Sequence, residues 1–210
     1  MANSGTTNLF QNPALESLTR TSASVAYTYY PAVAAFLVAI NFWINDLSVV
    51  TLVGLFFLGM LYWTLFEYVF HRYIFHHVTE SERGKKIAYT LHGVHHDFPL
   101  DKDRLIMPPL PWTVLVAVLL GIYYLIGGDY ALAFMGGKLI GYLGYIFVHY
   151  QVHVPNTPKL FKRQKIHHAI HHYQYEDKAF GVSSPIWDFV FGTMPPKASF
   201  SLGLEKKEHG

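Results

Sequence analysis

Ten of the thirteen histidines fall into four spaced runs: His71-Arg-Tyr-Ile-Phe-His76, His92-Gly-Val-His95-His96, His149-Tyr-Gln-Val-His153 and His168-Ala-Ile-His171-His172. Imidazole is the commonest metal-ligating side chain. On a helix, residues three and four apart share a face. His92, His95 and His96 therefore project within an arc of about 100°, as do His168, His171 and His172, and His149 pairs with His153. His71 and His76 are five apart, about 140° around an ideal helix. They fit only if the metals lie between a helix end and the segments facing it. Ten imidazoles exceed the needs of one ion. Three helical faces and a helix end could supply two ions with about four or five nitrogens each.

The chain has no cysteine, so any metal site uses nitrogen and oxygen donors. Imidazole suits zinc, copper, iron and nickel. Zinc lacks redox chemistry and would imply hydrolysis or a structural site. No nucleophile elbow, phosphate loop or H-E-x-x-H motif accompanies the histidines. A two-metal site opening towards an apolar interior suits oxidation of a lipid chain, and for that iron is the natural metal.

The elements that position these runs read as membrane spans. Half of the chain (51%) is hydrophobic and only 14% is charged, against roughly 25% in soluble domains, so lipid is the expected solvent. A net charge of +2 gives no argument for nucleic acid. Four apolar stretches, at about 24–44, 47–70, 110–126 and 130–150, approach the roughly 20 residues that a spanning helix needs. Core helices of a soluble protein fit their lengths and lack of charge less well.

Asp46 and Asp129 fall in short connections, giving two tight hairpins. Of the 16 Lys and Arg residues, 14 lie between the second and third stretches or after the fourth. The positive-inside rule then puts both histidine-bearing segments and both termini in the cytoplasm. The expected fold is all-α and integral to the membrane. Its four transmembrane helices form two hairpins under a cytoplasmic helical cap holding a histidine-rich di-metal centre. A tail at 1–22 precedes one domain at 23–196, whose cap comprises 71–109 and 151–196; a second tail covers 197–210.

Other residues invite narrower readings. Glu67 either orients a ligand imidazole or snorkels to the interface. Asp188 either orients a ligand or caps a helix. His77 and His167 adjoin the runs but break their spacing, so they support a ligand or face solvent. Asp101 and Arg104 read as an ion pair, and Tyr62, Trp63 and Trp112 as interfacial aromatics.

The four runs, in the order HxxxxH, HxxHH, HxxxH and HxxHH, resemble the signature of the membrane fatty acid hydroxylase/sterol desaturase superfamily. Their flanks resemble its fatty acid 2-hydroxylase branch. These are Leu91 to His96 followed by Pro99, Asp101, Arg104-Leu105 and Pro108-Pro109, then His171-His-Tyr173, Phe180-Gly-Val-Ser-Ser184 and Trp187-Asp-Phe-Val-Phe-Gly-Thr193. The resemblance covers roughly Tyr68 to Thr193 and departs at Ile146, where that branch usually carries Asp.

It implies a di-iron oxygenase with the ten clustered histidines as ligands. Such an enzyme uses O2 and electrons from a donor protein to place a hydroxyl on C2 of a long acyl chain in a fatty acid or acyl lipid. Zinc can occupy such a site in purified protein. The fused cytochrome of many eukaryotic members has no counterpart before the first span, which implies a separate donor and a bacterial inner membrane. A sterol, carotenoid or other lipid hydroxylase or desaturase of the same superfamily is the nearest alternative. A non-catalytic, zinc-stabilised lipid-binding membrane protein is the alternative from another class.

Overall fold

A computed structural model describes residues 5–77 and 80–197. Among these it is helical, with no strand. The order is α1 (Pro13–Ser17), α2 (Ala23–Ile44), α3 (Val49–Phe70), α4 (Glu82–Ala88), α5 (Val94–Asp97), α6 (Pro109–Gly127), α7 (Tyr130–His153), α8 (Lys162–Tyr173) and α9 (Ile186–Val190). Single π-helical turns follow α3 at His71–Phe75 and α4 at Tyr89–Gly93.

Helices α2, α3, α6 and α7 are long and apolar enough to cross a membrane, as expected. Ser22 caps α2 by accepting from the Val25 N–H. The third stretch starts with a proline at the first helical position, where a missing N–H costs nothing, and stops at Gly128 with φ +55°. Of the expected C-terminal tail only Lys197 is described, so His209 lies outside the described residues.

The chain forms two compact units. One comprises Gly5–Trp63 and Asp101–Ile146. Its aromatic core stacks Tyr30 on Trp112 with centroids 4.3 Å apart, and Tyr142 packs against both rings. The Tyr30 hydroxyl donates to the Met107 carbonyl. Trp112, expected at a membrane interface, is instead 3% exposed, because it packs among the rings of Tyr29, Tyr30 and Tyr142.

The stretch before α2 is not loose. The Glu16 carboxylate accepts from the Leu9 and Phe10 N–H groups at 2.8 and 3.0 Å, and pairs with Arg20 at 2.9 Å and Arg104 at 2.6 Å. Asp101 also pairs with Arg104, at 3.4 Å, and the Thr21 N–H donates to the Asp103 carbonyl. The expected ion pair thus belongs to a network that pins residues 6–21 onto 101–104.

Within this unit α3 and α7 pack backbone to backbone. A Cβ on Gly59 would stand 2.0 Å from the Phe134 carbonyl oxygen, and one on Gly137 would stand 1.8 Å from that of Phe56. Small residues permit this approach where lipid removes the hydrophobic drive for helices to associate. The fourth span also buries Lys138, a cation hidden by the apolar run around it. Its Nζ donates to the Tyr123 hydroxyl at 2.7 Å and lies 5.4 Å from the Tyr62 ring centre.

Among the described residues the other unit comprises Thr64–Leu100 and 147–197. It contains the end of α3, the π-turns, α4, α5, the end of α7, α8 and α9, and all four histidine runs.

The backbone contact gives a controlled prediction. Gly137→Ala should lower the thermal midpoint in detergent, by about 1–3 kcal/mol of stability or more, the usual penalty of overpacking. Gly54→Ala, with nothing within 4 Å of the new Cβ, should leave the midpoint unchanged or raise it slightly, as Ala does for Gly in a helix interior. Equal midpoints for the two variants, read by circular dichroism, would refute the packing argument.

Candidate metal centre

Each histidine run is delivered by a local device. After α3 the backbone widens into the π-turn, closed by a hydrogen bond from the His76 N–H to the His71 carbonyl at 3.2 Å. That i to i+5 closure brings onto one side two residues that an ideal helix would set about 140° apart. In α7, His149 and His153 share a face four residues apart. The two HxxHH runs lie on α5 with the π-turn before it and on α8.

The side chains converge in two groups. His71, His76, His92, His96 and His171 form one, and His95, His153, His168 and His172 the other, each with its ligand atoms within 4.8 Å of one another. His149 joins the second: its Nε2 lies 3.1 Å from that of His95 and 3.2 Å from that of His153. All ten clustered histidines are therefore brought together. The two HxxHH runs divide reciprocally. His92 and His96 face the first group while His95 faces the second, and His168 and His172 face the second while His171 faces the first.

The spacing within each group is that of a coordination shell. Nε2 separations are 2.9 Å for His71–His92, 3.0 Å for His92–His96, 3.0 Å for His76–His171 and 3.3 Å for His71–His76. In the second group they are 2.9 Å for His153–His168 and 3.0 Å for His168–His172. Nitrogens about 2.05 Å from a common ion would stand about 2.9 Å apart at a right angle and about 3.3 Å at the tetrahedral angle. The two groups therefore fit two nitrogen-ligated ions. His96 and His172, one from each, stack with centroids 4.2 Å apart.

Hydrogen bonds on the far side of two rings fix their state. His71 Nδ1 is 2.6 Å from the Phe180 carbonyl, and His171 Nδ1 is 2.7 Å from that of Lys178. A carbonyl only accepts, so Nδ1 carries the proton and Nε2 keeps the lone pair a cation needs. Ala179, between these carbonyls, has φ +60°, a left-handed conformation that helps turn both carbonyls towards the imidazoles. Its N–H donates to the Thr193 carbonyl at 2.9 Å. Among the described residues no such anchor exists for His95, His96, His168 and His172, whose buried Nδ1 atoms have no hydrogen-bond partner there.

Asp188 and Glu67 hold the loop that carries those carbonyls. Fully buried Asp188 accepts from the Phe180 and Gly181 N–H groups at 2.9 and 2.8 Å and from the Thr193 hydroxyl at 2.7 Å. It also lies 2.9 Å from Nε2 of buried His167. Glu67, read as a partner for an imidazole or a snorkelling side chain, accepts from the Val182 and Ser183 N–H groups, both at 2.8 Å, and from the Ser183 hydroxyl. Burial rules out snorkelling for a side chain of a residue only 5% exposed. His77 is exposed and stands in neither group. The carbonyls of Lys178 and Phe180 carried no sequence signal, because any residue has one.

Burial, reinforced by neighbouring imidazoles, holds His92, His95, His168, His171 and His172 well below the usual histidine range. Burial brings His76 down to about 4, and burial with the imidazoles of His76 and His149 brings His96 down to about 3. At neutral pH these rings are uncharged, the form that ligates metal.

The fold and site define a multi-pass membrane protein built around two histidine nests, and the comparisons with known proteins agree. The fatty acid hydroxylase family model matches residues 56–193, and the chain belongs to that family. It is 40% identical over 140 residues to the dihydroceramide fatty acyl 2-hydroxylase FAH1 of Arabidopsis thaliana, covering 66% of this chain and 59% of that one. It is 39% identical over 150 residues to the fatty acid 2-hydroxylase of Rattus norvegicus, covering 69% and 40%. Identity to the ceramide very long chain fatty acid hydroxylase SCS7 of Saccharomyces cerevisiae is 35% over 208 residues, covering 94% and 52%. The chain thus spans roughly half the length of these curated relatives. The visible hydroxylase domain of full-length scs7p superposes with a TM-score of 0.83 at 33% identity, covering 91% of this chain and 73% of that one.

Two predictions follow from the geometry. Between pH 6.5 and about 4 the unfolded chain binds more protons than the folded one, whose imidazoles resist charging. Stability of metal-stripped protein should therefore be fully present above pH 6.5 and fall towards pH 4, which thermal melts in detergent would show. A flat profile would contradict neutral buried imidazoles. Asp188→Asn replaces an acceptor of two N–H groups with a side chain that has one carbonyl oxygen. Metal affinity should fall roughly 10- to 100-fold, as for other outer partners of metal ligands, in a chelator competition.

Proposed function

We propose that the protein is a di-iron oxygenase that hydroxylates long acyl chains of fatty acids or acyl lipids, at C2, with O2 as co-substrate. The observation that carries this reading is the pair of five-histidine groups at coordination spacing in a multi-pass member of the fatty acid hydroxylase family. The relatives' names state the same chemistry: two are 2-hydroxylases and one hydroxylates very long chain fatty acids of ceramide.

In this reading His71, His76, His92, His96 and His171 hold one iron, and His95, His149, His153, His168 and His172 hold the other. Bound iron supplies O2 activation, which no side chain of this protein can perform. The chain's own contribution is positional and electrostatic. Ten Nε2 atoms converge, and burial keeps the rings of His76, His92, His95, His96, His168, His171 and His172 neutral. The Phe180 and Lys178 carbonyls hold the protons of His71 and His171 on Nδ1, away from the metal side. Asp188 and Glu67 keep the 178–183 loop in the one conformation that aims those carbonyls. Burial keeps bulk water from the nitrogen cluster, so charge developed there is screened little.

Electrons come from a donor protein, and the distribution of Lys and Arg supports a cytoplasmic location for the centre and both termini. The acyl chain reaches the centre from the membrane in which it is dissolved.

Lipid mass spectrometry of a host expressing the protein tests the reading. Wild type should yield acyl chains one oxygen heavier with the hydroxyl on C2, and a His95→Ala/His171→Ala variant should not. Oxygen at another carbon would reject the C2 assignment. No lipid change with iron and a donor supplied, in protein that still binds zinc, would favour a non-catalytic zinc-stabilised protein.

A further inference from the structure

The turn that carries Asp188 has two faces, and the centre uses only the inner one. The outer face of α9 and the residue after it presents Ile186, Phe189, Val190 and Phe191, with 55, 79, 56 and 48% of their surface exposed. From Ser183 to Pro196 the one charged residue is Asp188, which points inward and is fully buried. An uncharged outer face this apolar is unusual for a surface that meets water.

What lies beside α9 identifies what covers it. Trp187 Nε1 donates to the Thr64 hydroxyl at 2.9 Å, and the Phe191 ring stacks on Tyr68 with centroids 5.2 Å apart. Thr64 and Tyr68 both belong to the candidate span Val49–Phe75. The turn is therefore moored to a helix that crosses the membrane, within the segment that crosses it. An exposed apolar face moored to a spanning helix at that level lies beside lipid chains rather than beside a soluble partner.

We propose that the apolar face formed by Ile186, Phe189, Val190 and Phe191 is inserted among the acyl chains of the membrane that α3 spans. The turn then lies in the bilayer on one side and holds the imidazole-anchoring loop on the other. Outward, four apolar side chains take the place of headgroup water. Inward, Asp188 grips the Phe180 and Gly181 peptides, whose loop aims carbonyls at His71 and His171. The depth of the metal centre relative to the acyl chains is set by this contact, a property independent of which carbon is oxidised.

The chain has no cysteine, so single thiols can be introduced cleanly. Phe189→Cys and, separately, Ile186→Cys would be labelled with an environment-sensitive fluorophore in phosphatidylcholine nanodiscs. Quenching by doxyl-labelled phosphatidylcholine would be compared with quenching by iodide. Glu82→Cys serves as the water-facing control, since the Glu82 side chain is 89% exposed.

Labels at 186 and 189 should be at least about twofold more quenched by the doxyl lipid than by iodide, with the order reversed at 82, as expected for an interfacial segment. Iodide quenching at 186 and 189 equal to that at 82 would place the face in water and overturn the proposal. Protection from both quenchers would also overturn it, by showing that protein covers the face. Unchanged metal content in each labelled variant confirms that the fold is intact. The readout does not depend on turnover, so loss of the hydroxylase reading would leave this result standing.

Discussion

Ten imidazole nitrogens converge on two points in a largely buried interior, and the rest of the structure is arranged around tolerating that convergence. Lone pairs brought within 2.9–3.3 Å of one another repel unless a proton or a cation lies between them. Protons are disfavoured here, because burial and mutual proximity depress the basicity of the rings outside the spans. A divalent cation satisfies five nitrogens at once where a proton bridges two. The folded chain is thus a pre-formed demand for metal, and metal binding and stability are two aspects of one equilibrium.

That convergence is maintained from behind by groups of ordinary chemistry. Asp188 and Glu67 are both carboxylates and both buried, yet each spends its negative charge mainly on backbone N–H groups rather than on a cation. A carboxylate shared among several donors is held in its charged form by those hydrogen bonds. The charge fixes the 178–183 loop, and the loop fixes His71 and His171. Replacing either acid would act on the metal through two intervening hydrogen bonds, which is why positioning and ligation must be distinguished by metal affinity rather than by activity.

Much of this was legible in the sequence, for reasons that differ by element. The four spans could be read because a bilayer demands length and apolarity that few other settings do. The HxxHH and HxxxH runs could be read because helical periodicity converts spacing directly into shared direction. His71 and His76 could not be placed by the same rule, since a π-turn changes the periodicity and nothing in Arg72–Phe75 announces one. Asp188 was visible as a candidate, but its partners were not, because they are peptide groups. The loop partners of Glu67 were not legible, because its hydrogen bonds join residues 115 and 116 positions away. Lys138 and Trp112 were hidden or misplaced for a related reason: composition reports that a residue is polar or aromatic, while its role depends on the neighbours that a remote helix supplies.

The reciprocal division of the two HxxHH runs explains why the centre is a property of the whole unit. A helix offering i and i+4 to one group points i+3 partly sideways, and here that third ring faces the other group. Both α5 and α8 therefore touch both groups, whereas the His71–His76 turn touches only the first and α7 only the second. Neither group is built by one run alone, and each draws rings from both shared helices. His96 stacked on His172 couples the two groups further, since moving one ring displaces the other. Two ions held in this way should behave as one structural element with two sites, and the loop behind His71 and His171 as the part that sets its geometry.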